Sequence, residues 1–165
     1  MSMEYYPLPQ PEEIPEREKE DAMGAYLMMF AAVALGLPLP VINLIASIIY
    51  YYINRKKSRF IHFHALQSLL TQIPTTIINW ALVIWAVTIF LKEDWKLTPE
   101  FWGYAIFCGM STFLYFIVSL IAAFKARQGK MYYFLLFGKM AYETAYQIKP
   151  AEAVENQGPV NKPPF

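Results

Sequence analysis

The chain has 165 residues, of which 56% are hydrophobic and 17% aromatic, and its 14 basic and 13 acidic residues nearly balance. The charges lie in short zones separated by long uncharged stretches, which excludes a soluble protein whose helices each carry a charged outer face. A single cysteine, Cys108, excludes an internal disulfide framework and a multi-cysteine zinc site. The few cations lie beside apolar segments, so we do not expect nucleic-acid binding.

Residues 1–21 form an acidic segment punctuated by prolines. This composition predicts a disordered, solvated tail. The segment is not a signal peptide, because it has neither a basic start nor an early apolar core. Residues 149–165 also contain several prolines and predict a second disordered tail. The membrane domain is therefore expected to occupy residues 22–148.

The first apolar block, residues 22–53, is interrupted by the sequence Gly36-Leu-Pro-Leu-Pro40. One continuous helix would measure about 48 Å, which exceeds a bilayer core of about 30 Å. Each proline removes a backbone donor and disfavours helix at the residue before it. The pattern predicts two short helices at 23–36 and 41–53. They form either a hairpin or a single kinked span, and their length alone does not decide between the two.

A basic cluster comes next and consists of Arg55, Lys56, Lys57 and Arg59. It is followed by an uncharged, mainly apolar stretch that predicts a membrane helix at 61–91 with a kink at Pro74. A short loop of mixed charge precedes a second predicted membrane helix at 100–124. Basic residues next to membrane helices favour the cytoplasmic side. We therefore expect the basic cluster to act as a cytoplasmic anchor.

Residues 131–148 are rich in aromatic side chains but also carry Lys139 and Glu143. Their apolar run is too short to cross a bilayer, so it predicts an amphipathic helix at the membrane interface. The fold class expected is an all-α integral membrane protein with a bundle of three to four transmembrane helices. Such a chain would be a multi-pass protein of the bacterial cytoplasmic (inner) membrane, with the basic loop and the C-terminus cytoplasmic.

Polar side chains recur at helical spacing on three of the predicted membrane helices and form a polar stripe on each. We expect these stripes to face inward. They serve either to join helices by hydrogen bonds or to line a groove that holds or passes a polypeptide. The stripe comprises Asn43, Ser47, Ser68, Thr71, Gln72, Thr75, Thr76, Asn79, Ser111, Tyr115 and Ser119.

Two histidines, His62 and His64, lie at the start of helix 61–91. Side chains two residues apart point to nearly opposite sides of a helix, so one helix cannot chelate a metal with both. We expect them to form hydrogen bonds at headgroup depth, and we predict no metal site and no cofactor. The alternative is that His62 or His64 is an axial ligand of haem or chlorophyll.

The sequence contains no phosphate-binding loop, nucleophile elbow, HExxH motif or Gly-rich cofactor turn. Apart from Glu100 at the very start of helix 100–124, the predicted spans contain no acidic residue, lysine or arginine. Ion-coupled transporters and proton pumps usually need such an ionisable group inside the membrane. We therefore expect a protein that is not an enzyme and has no catalytic residues.

The start of helix 61–91 carries a recognisable motif, which consists of Arg59, Phe60, His64, Ala65 and Gln67 behind a short basic loop. This motif resembles the signature of a small polytopic membrane family. The best-known member of that family is the 20-kilodalton subunit of the chloroplast inner-envelope protein-import translocon, and its bacterial relatives are mostly uncharacterised. The resemblance implies about four membrane helices with both termini on the cytoplasmic or stromal side, which supports the hairpin.

The resemblance also implies a function, namely a non-enzymatic subunit of a membrane complex accessory to protein translocation or membrane insertion. Its expected partners are the lipid bilayer and other membrane-protein subunits. One alternative is a structural subunit of an energy-transducing respiratory or photosynthetic complex with a His-ligated pigment or haem. Another is a small-solute channel.

Overall fold

The computed structural model describes residues 4–36, 39–92 and 96–148. These residues are helical except for turns, loops and one isolated antiparallel bridge between Tyr5 and Gln147, so the expected all-helical fold class is confirmed. The helices are α1 (Glu16–Leu27), α2 (Ala31–Ala34), α3 (Pro40–Asn54), α4 (Arg59–Phe90), α5 (Pro99–Arg127) and α6 (Phe137–Tyr146). A 3-10 turn, Met28–Phe30, joins α1 to α2.

Residues 4–21 do not form the disordered tail that their composition predicts. The helix expected at 23–36 begins instead at Glu16, directly after Pro15. Upstream of it, the Tyr6 N–H donates to the carbonyl of Tyr146 at 2.9 Å. The prediction is wrong for this segment because its acidic side chains find basic partners far along the chain. The second tail, 149–165, lies outside the described residues.

The chain reverses between α2 and α3, close to the predicted break. Gly36 has a φ of +67°, a left-handed backbone that glycine adopts without steric cost. The residues Leu37 and Pro38 lie outside the described ranges. On either side of the reversal, the Tyr50 hydroxyl donates to the Asp21 carbonyl at 2.7 Å, and the Ala32 N–H donates to Asn43 Oδ1 at 2.7 Å. These pairings show an antiparallel hairpin.

The helices α4 and α5 are much longer than the hairpin. Their 32 and 29 residues correspond to about 48 Å and 44 Å. Both are long and apolar enough to cross a membrane, and only 6% and 17% of their most apolar 18-residue windows are buried within the chain. The core helix of a soluble protein would be mostly buried. Their exposure therefore agrees with a membrane protein.

Local sequence explains where the long helices begin and end. Ser58 Oγ accepts the Ile61 N–H at 3.2 Å in front of α4, and Thr98 Oγ1 accepts the Phe101 N–H at 3.4 Å in front of α5. Gly129, with a φ of +73°, follows the C-terminus of α5. The helix α4 continues through Pro74, and the kink expected there stays a prediction.

The hydrophobic core lies at one end of the molecule, where α1, the start of α4, the end of α5 and α6 meet. Its buried side chains include Tyr26, Phe60, Phe63, Phe134 and Tyr146. The opposite halves of α4 and α5 pack mainly against each other and expose their apolar side chains. We call the end that contains the core the basic end, because it also holds the basic cluster. At the other end, α4 and α5 expose apolar side chains.

Candidate functional site: a buried polar network at the start of α4

Three polar side chains, His64, Gln67 and Ser68, lie on one face of α4 because they are spaced three and four residues apart. Their exposed fractions are 0%, 0% and 1%. Burying polar groups costs free energy unless hydrogen bonds replace those to water. This face of α4 must therefore be matched by donors and acceptors on the segments that cover it.

Gln67 provides the centre of the network. Its Nε2 donates to the Tyr26 hydroxyl at 2.8 Å and to the Tyr132 carbonyl at 2.7 Å. Its Oε1 accepts the Phe134 N–H at 3.1 Å. Next to it, Ser68 Oγ donates to the Ala25 carbonyl at 2.8 Å. One face of α4 thus joins α1 to the segment 132–134.

The Tyr26 hydroxyl and His64 Nδ1 lie 2.9 Å apart. The tyrosine oxygen also accepts a hydrogen bond from the Gln67 amide, and the tautomer of the His64 ring decides which atom donates in the Tyr26–His64 contact. The Nε2 atom of His64 is buried and has no hydrogen-bond partner among the described residues.

Four of the five motif residues are buried, namely Phe60, His64, Ala65 and Gln67. The rings of Phe60 and His64 meet edge to face with centroids 4.5 Å apart, and Ala65 is 2% exposed. Arg59 points elsewhere, and its guanidinium lies 3.4 Å from the centroid of the Tyr6 ring. Four of the five motif residues pack α4 against its neighbours, which is a structural role.

The other histidine contacts a different helix. His62 Nε2 lies 3.1 Å from the Tyr51 hydroxyl of α3, whereas His64 contacts α1. The two rings are not brought together. The absence of a metal site and of a cofactor stays a prediction, and so does the alternative that one of these rings is an axial ligand of haem or chlorophyll.

Part of the polar stripe lines a cavity of about 250 Å³ between the hairpin, α4 and α5. Gln72 Nε2 donates to Ser47 Oγ, while Gln72 Oε1 is buried without a hydrogen-bond partner among the described residues. Stripe residues on the cavity wall are Asn43, Gln72, Thr75, Thr76, Asn79 and Tyr115. The stripe is therefore partly an internal surface between helices.

Hydrogen bonds of the stripe residues either join two helices or return to the backbone of the same helix. Asn79 Nδ2 donates to Thr112 Oγ1 at 2.9 Å and so links α4 to α5. Thr71 Oγ1 donates to the carbonyl one turn earlier. Ser119 is fully buried, and Ser111 faces a second groove beside α6. The structure thus brings the stripe together only in part.

Ion pairs fasten α1 at the basic end. Arg127 at the end of α5 pairs with Glu16 and with Glu20, the latter at 3.3 Å, and Lys57 pairs with Asp21 at 2.8 Å. Hydrogen bonds from Lys19 and Arg127 lower the pKa of Glu16 to about 2. Nearby, burial raises the pKa of the Tyr146 hydroxyl.

Sequence reasoning missed Tyr26 and the segment 132–134. Tyr26 lies in an apolar run, where nothing local marks it as a hydrogen-bonding residue. A weaker signal was present at Gly138, where a Cβ atom would lie 2.9 Å from Gln67 Oε1 and 2.9 Å from Tyr133 Cα. A glycine inside an aromatic-rich helix indicates such a close approach.

Residues 19–140 match the family described as magnetosome magnetite crystal formation proteins, MamF/MmsF. This match covers well over half of the chain and includes both long helices and the buried network. The chain belongs to the MamF/MmsF family. Neither the curated proteins nor the solved structures gave a match.

Membership of the MamF/MmsF family corrects the functional predictions. The resemblance to the chloroplast translocon subunit is wrong as an assignment, and so are protein translocation, the energy-transducing subunit and the small-solute channel. The physical reason is that Phe60, His64, Ala65 and Gln67 pack helices, so the motif reports a packing arrangement and no particular activity. The expectation that the chain is not an enzyme agrees with a family of crystal-formation proteins.

Proposed function

We propose that this MamF/MmsF protein is a multi-pass protein of the magnetosome membrane that acts in magnetite crystal formation without catalysing a reaction. The observation that carries this proposal is the family match over residues 19–140. The two long exposed apolar helices support the membrane location. We propose that it acts without a resident cofactor and through contacts with lipid, with the crystal and with other membrane proteins.

In this proposal, α4 and α5 cross the membrane and the shorter hairpin of α1 to α3 enters it from the basic end, which gives the bundle of four. The lipid-facing surface is the set of exposed apolar side chains on α4 and α5, which includes Ile77, Ile84, Val87, Ile106, Met110, Phe113 and Leu114. The basic cluster favours placing its end on the cytoplasmic side.

The segment after α5 supports a membrane interface at the level of Gln67. Leu135 and Leu136 are 102% and 73% exposed, although the adjoining Phe134 N–H is bonded to Gln67. Two neighbouring leucines exposed at the edge of a membrane protein suit insertion into the headgroup region. We therefore place α6 along the membrane surface.

With the basic end in the cytoplasm, the loop between α4 and α5 faces the compartment in which the crystal grows. This loop and the first turn of α5 contain Lys92, Glu93, Asp94, Lys96 and Glu100. Carboxylate oxygens are hard ligands that bind metal cations, including iron, at a mineral surface. We propose that these carboxylates contact the growing crystal.

The proposed crystal contact is tested by complementing a gene deletion with E93Q/D94N/E100Q and measuring crystal dimensions by electron microscopy. We expect altered crystal size or shape with normal protein abundance. The matched control is E12Q/E13Q/E143Q, which removes three carboxylates at the basic end and should restore wild-type crystals. Wild-type crystals from both variants would refute the proposed crystal contact of the loop. Wild-type crystals in the deletion strain would refute the proposed role in crystal formation.

The proposed topology is tested separately with single-cysteine proteins in a C108A background. Lys56→Cys should react with a membrane-impermeant maleimide only from the cytoplasmic side, and Lys96→Cys only from the opposite side. The reverse pattern would invert the assignment of the two ends.

A further inference from the structure

A polar cavity of about 470 Å³ lies at the basic end, between the end of α3, the start of α4 and the last turn of α6. All four cations of the basic cluster line it, and the described lining contains no carboxylate. The remaining lining residues are Tyr6, Ser58, His62, Thr144, Ala145 and Gln147. The cavity is therefore strongly electropositive.

Most of this charge is not neutralised within the described part of the chain. Lys57 pairs with Asp21, but Arg55, Lys56 and Arg59 form no ion pair there. Glu18 shares a neighbouring groove with Arg59 without pairing to it. Three cations thus stay close together without a carboxylate partner, an arrangement that an anion would stabilise.

The two arginines are held in position by aromatic rings. The Arg59 guanidinium lies 3.4 Å from the Tyr6 ring centroid, and that of Arg55 lies 4.7 Å from the Tyr52 centroid. A ring restrains the guanidinium plane but leaves its charge and the N–H donors on its edge available. Such edges match the paired oxygens of a phosphate group.

The position of the cluster in the helix adds to this argument. Arg59 is the first residue of α4, and cations at a helix N-terminus oppose the helix dipole. Arg59 is therefore unfavourable for the start of α4, and a bound anion would offset that effect.

We propose that this cavity binds the phosphate of an anionic phospholipid headgroup. A lipid fits better than a soluble anion because the cavity adjoins exposed apolar surface at the end of α3. Tyr52 and Ile53 are 60% and 66% exposed there, in position to contact acyl chains while Arg55, Lys56 and Arg59 contact the phosphate.

The test uses the purified full chain in a neutral detergent, with native mass spectrometry counting bound lipid during titration. Dioleoyl-phosphatidylglycerol should bind at least about tenfold more tightly than dioleoyl-phosphatidylcholine. The variant R55Q/K56Q/R59Q should weaken phosphatidylglycerol binding on the order of 100-fold, since each cation near a membrane surface contributes about a factor of five. Lys56→Gln alone should weaken it about fivefold, and this exposed side chain forms no hydrogen bond or ion pair within the described part of the chain.

The matched control is K125Q/K130Q/K139Q, which removes three cations from the same end but outside the cavity. It should change phosphatidylglycerol binding by less than about threefold if the site is local. Equal losses in both triple variants would show a diffuse charge effect and overturn the proposal, as would equal binding of the two lipids. Inorganic phosphate that competes with phosphatidylglycerol at similar concentration would show a soluble-anion site and would equally overturn it.

Discussion

Gln67 and Tyr26 lie 41 residues apart in the sequence, and a hydrogen bond of 2.8 Å joins the glutamine amide to the tyrosine hydroxyl inside the protein. The same amide group also bonds to the backbone of residues 132 and 134. One side chain therefore connects an early, a central and a late part of the chain. Its loss should affect the whole basic end.

Gln67→Leu should lower the free energy of unfolding by about 3 kcal/mol, because it leaves the Tyr132 carbonyl and the Phe134 N–H buried and unpaired. Cys108 is 1% exposed, so its reaction with a thiol-reactive dye during heating in detergent reports unfolding. The same change at the exposed Gln128 serves as the control and should have little effect. Equal melting temperatures for the two variants would contradict the network's role.

Tyr26→Phe should destabilise the protein and should also interact energetically with Gln67→Leu, because both remove the same hydrogen bond. We expect a coupling free energy of about 1 kcal/mol in a double-mutant cycle measured by thermal unfolding. Tyr104→Phe provides the comparison, since its hydroxyl donates to the distant Ile78 carbonyl at 3.0 Å. Its effect should add to that of Gln67→Leu without coupling, and coupling as large as that of Tyr26 would count against a direct bond.

Gly138→Ala should destabilise α6 and its contact with α4. The added Cβ would lie 2.9 Å from both Gln67 Oε1 and the Tyr133 backbone, which cannot move away easily. Gly103→Ala is the matched control within α5, where a Cβ meets nothing within 4 Å and alanine favours helix by about 1 kcal/mol. We expect opposite shifts in melting temperature, and a stabilising effect at both positions would refute the close packing.

Glu16→Gln should destabilise the basic end at neutral pH but not in strong acid. The pKa of Glu16 is lowered to about 2 in the folded protein, first by Lys19 and then by Arg127. A lowered pKa means that the ionised form adds stability above the ordinary carboxyl pKa of about 4.5, and that this stability disappears as the pH falls towards 2.

Melting temperatures of wild type and Glu16→Gln should therefore differ at pH 7 and converge between about pH 4.5 and 2. Glu12→Gln, on the exposed turn before α1, should behave like wild type throughout. A difference between wild type and Glu16→Gln that persists unchanged at pH 2 would indicate a cause other than the ion pairs.

Local sequence was sufficient for the features that depend on neighbouring residues. Apolar length and the prolines place α3, α4 and α5 close to their observed bounds. The start of α1 at Glu16 was missed because the charges that fasten it lie on Lys57 and Arg127, far along the chain. Propensity and composition contain no information on such distant partners.

The candidate site was predictable only in its α4 half. The spacing of His64, Gln67 and Ser68 marks a polar face that needs hydrogen-bond partners. It does not reveal that Tyr26 and the backbone of residues 132–134 provide them. Function could not be derived from the motif either. Four of its residues are buried between helices, and such packing can occur in membrane proteins of different activities.

The hydrogen bond between Gln67 and Phe134 spans 67 residues, which sets an order of events during biosynthesis. The Gln67 amide can reach this partner only after residue 134 has been synthesised, when all of α4 and α5 already exists as chain. The hydrogen bonds of the basic end are therefore completed last. A nascent chain truncated before residue 132 would lack the two backbone partners of Gln67.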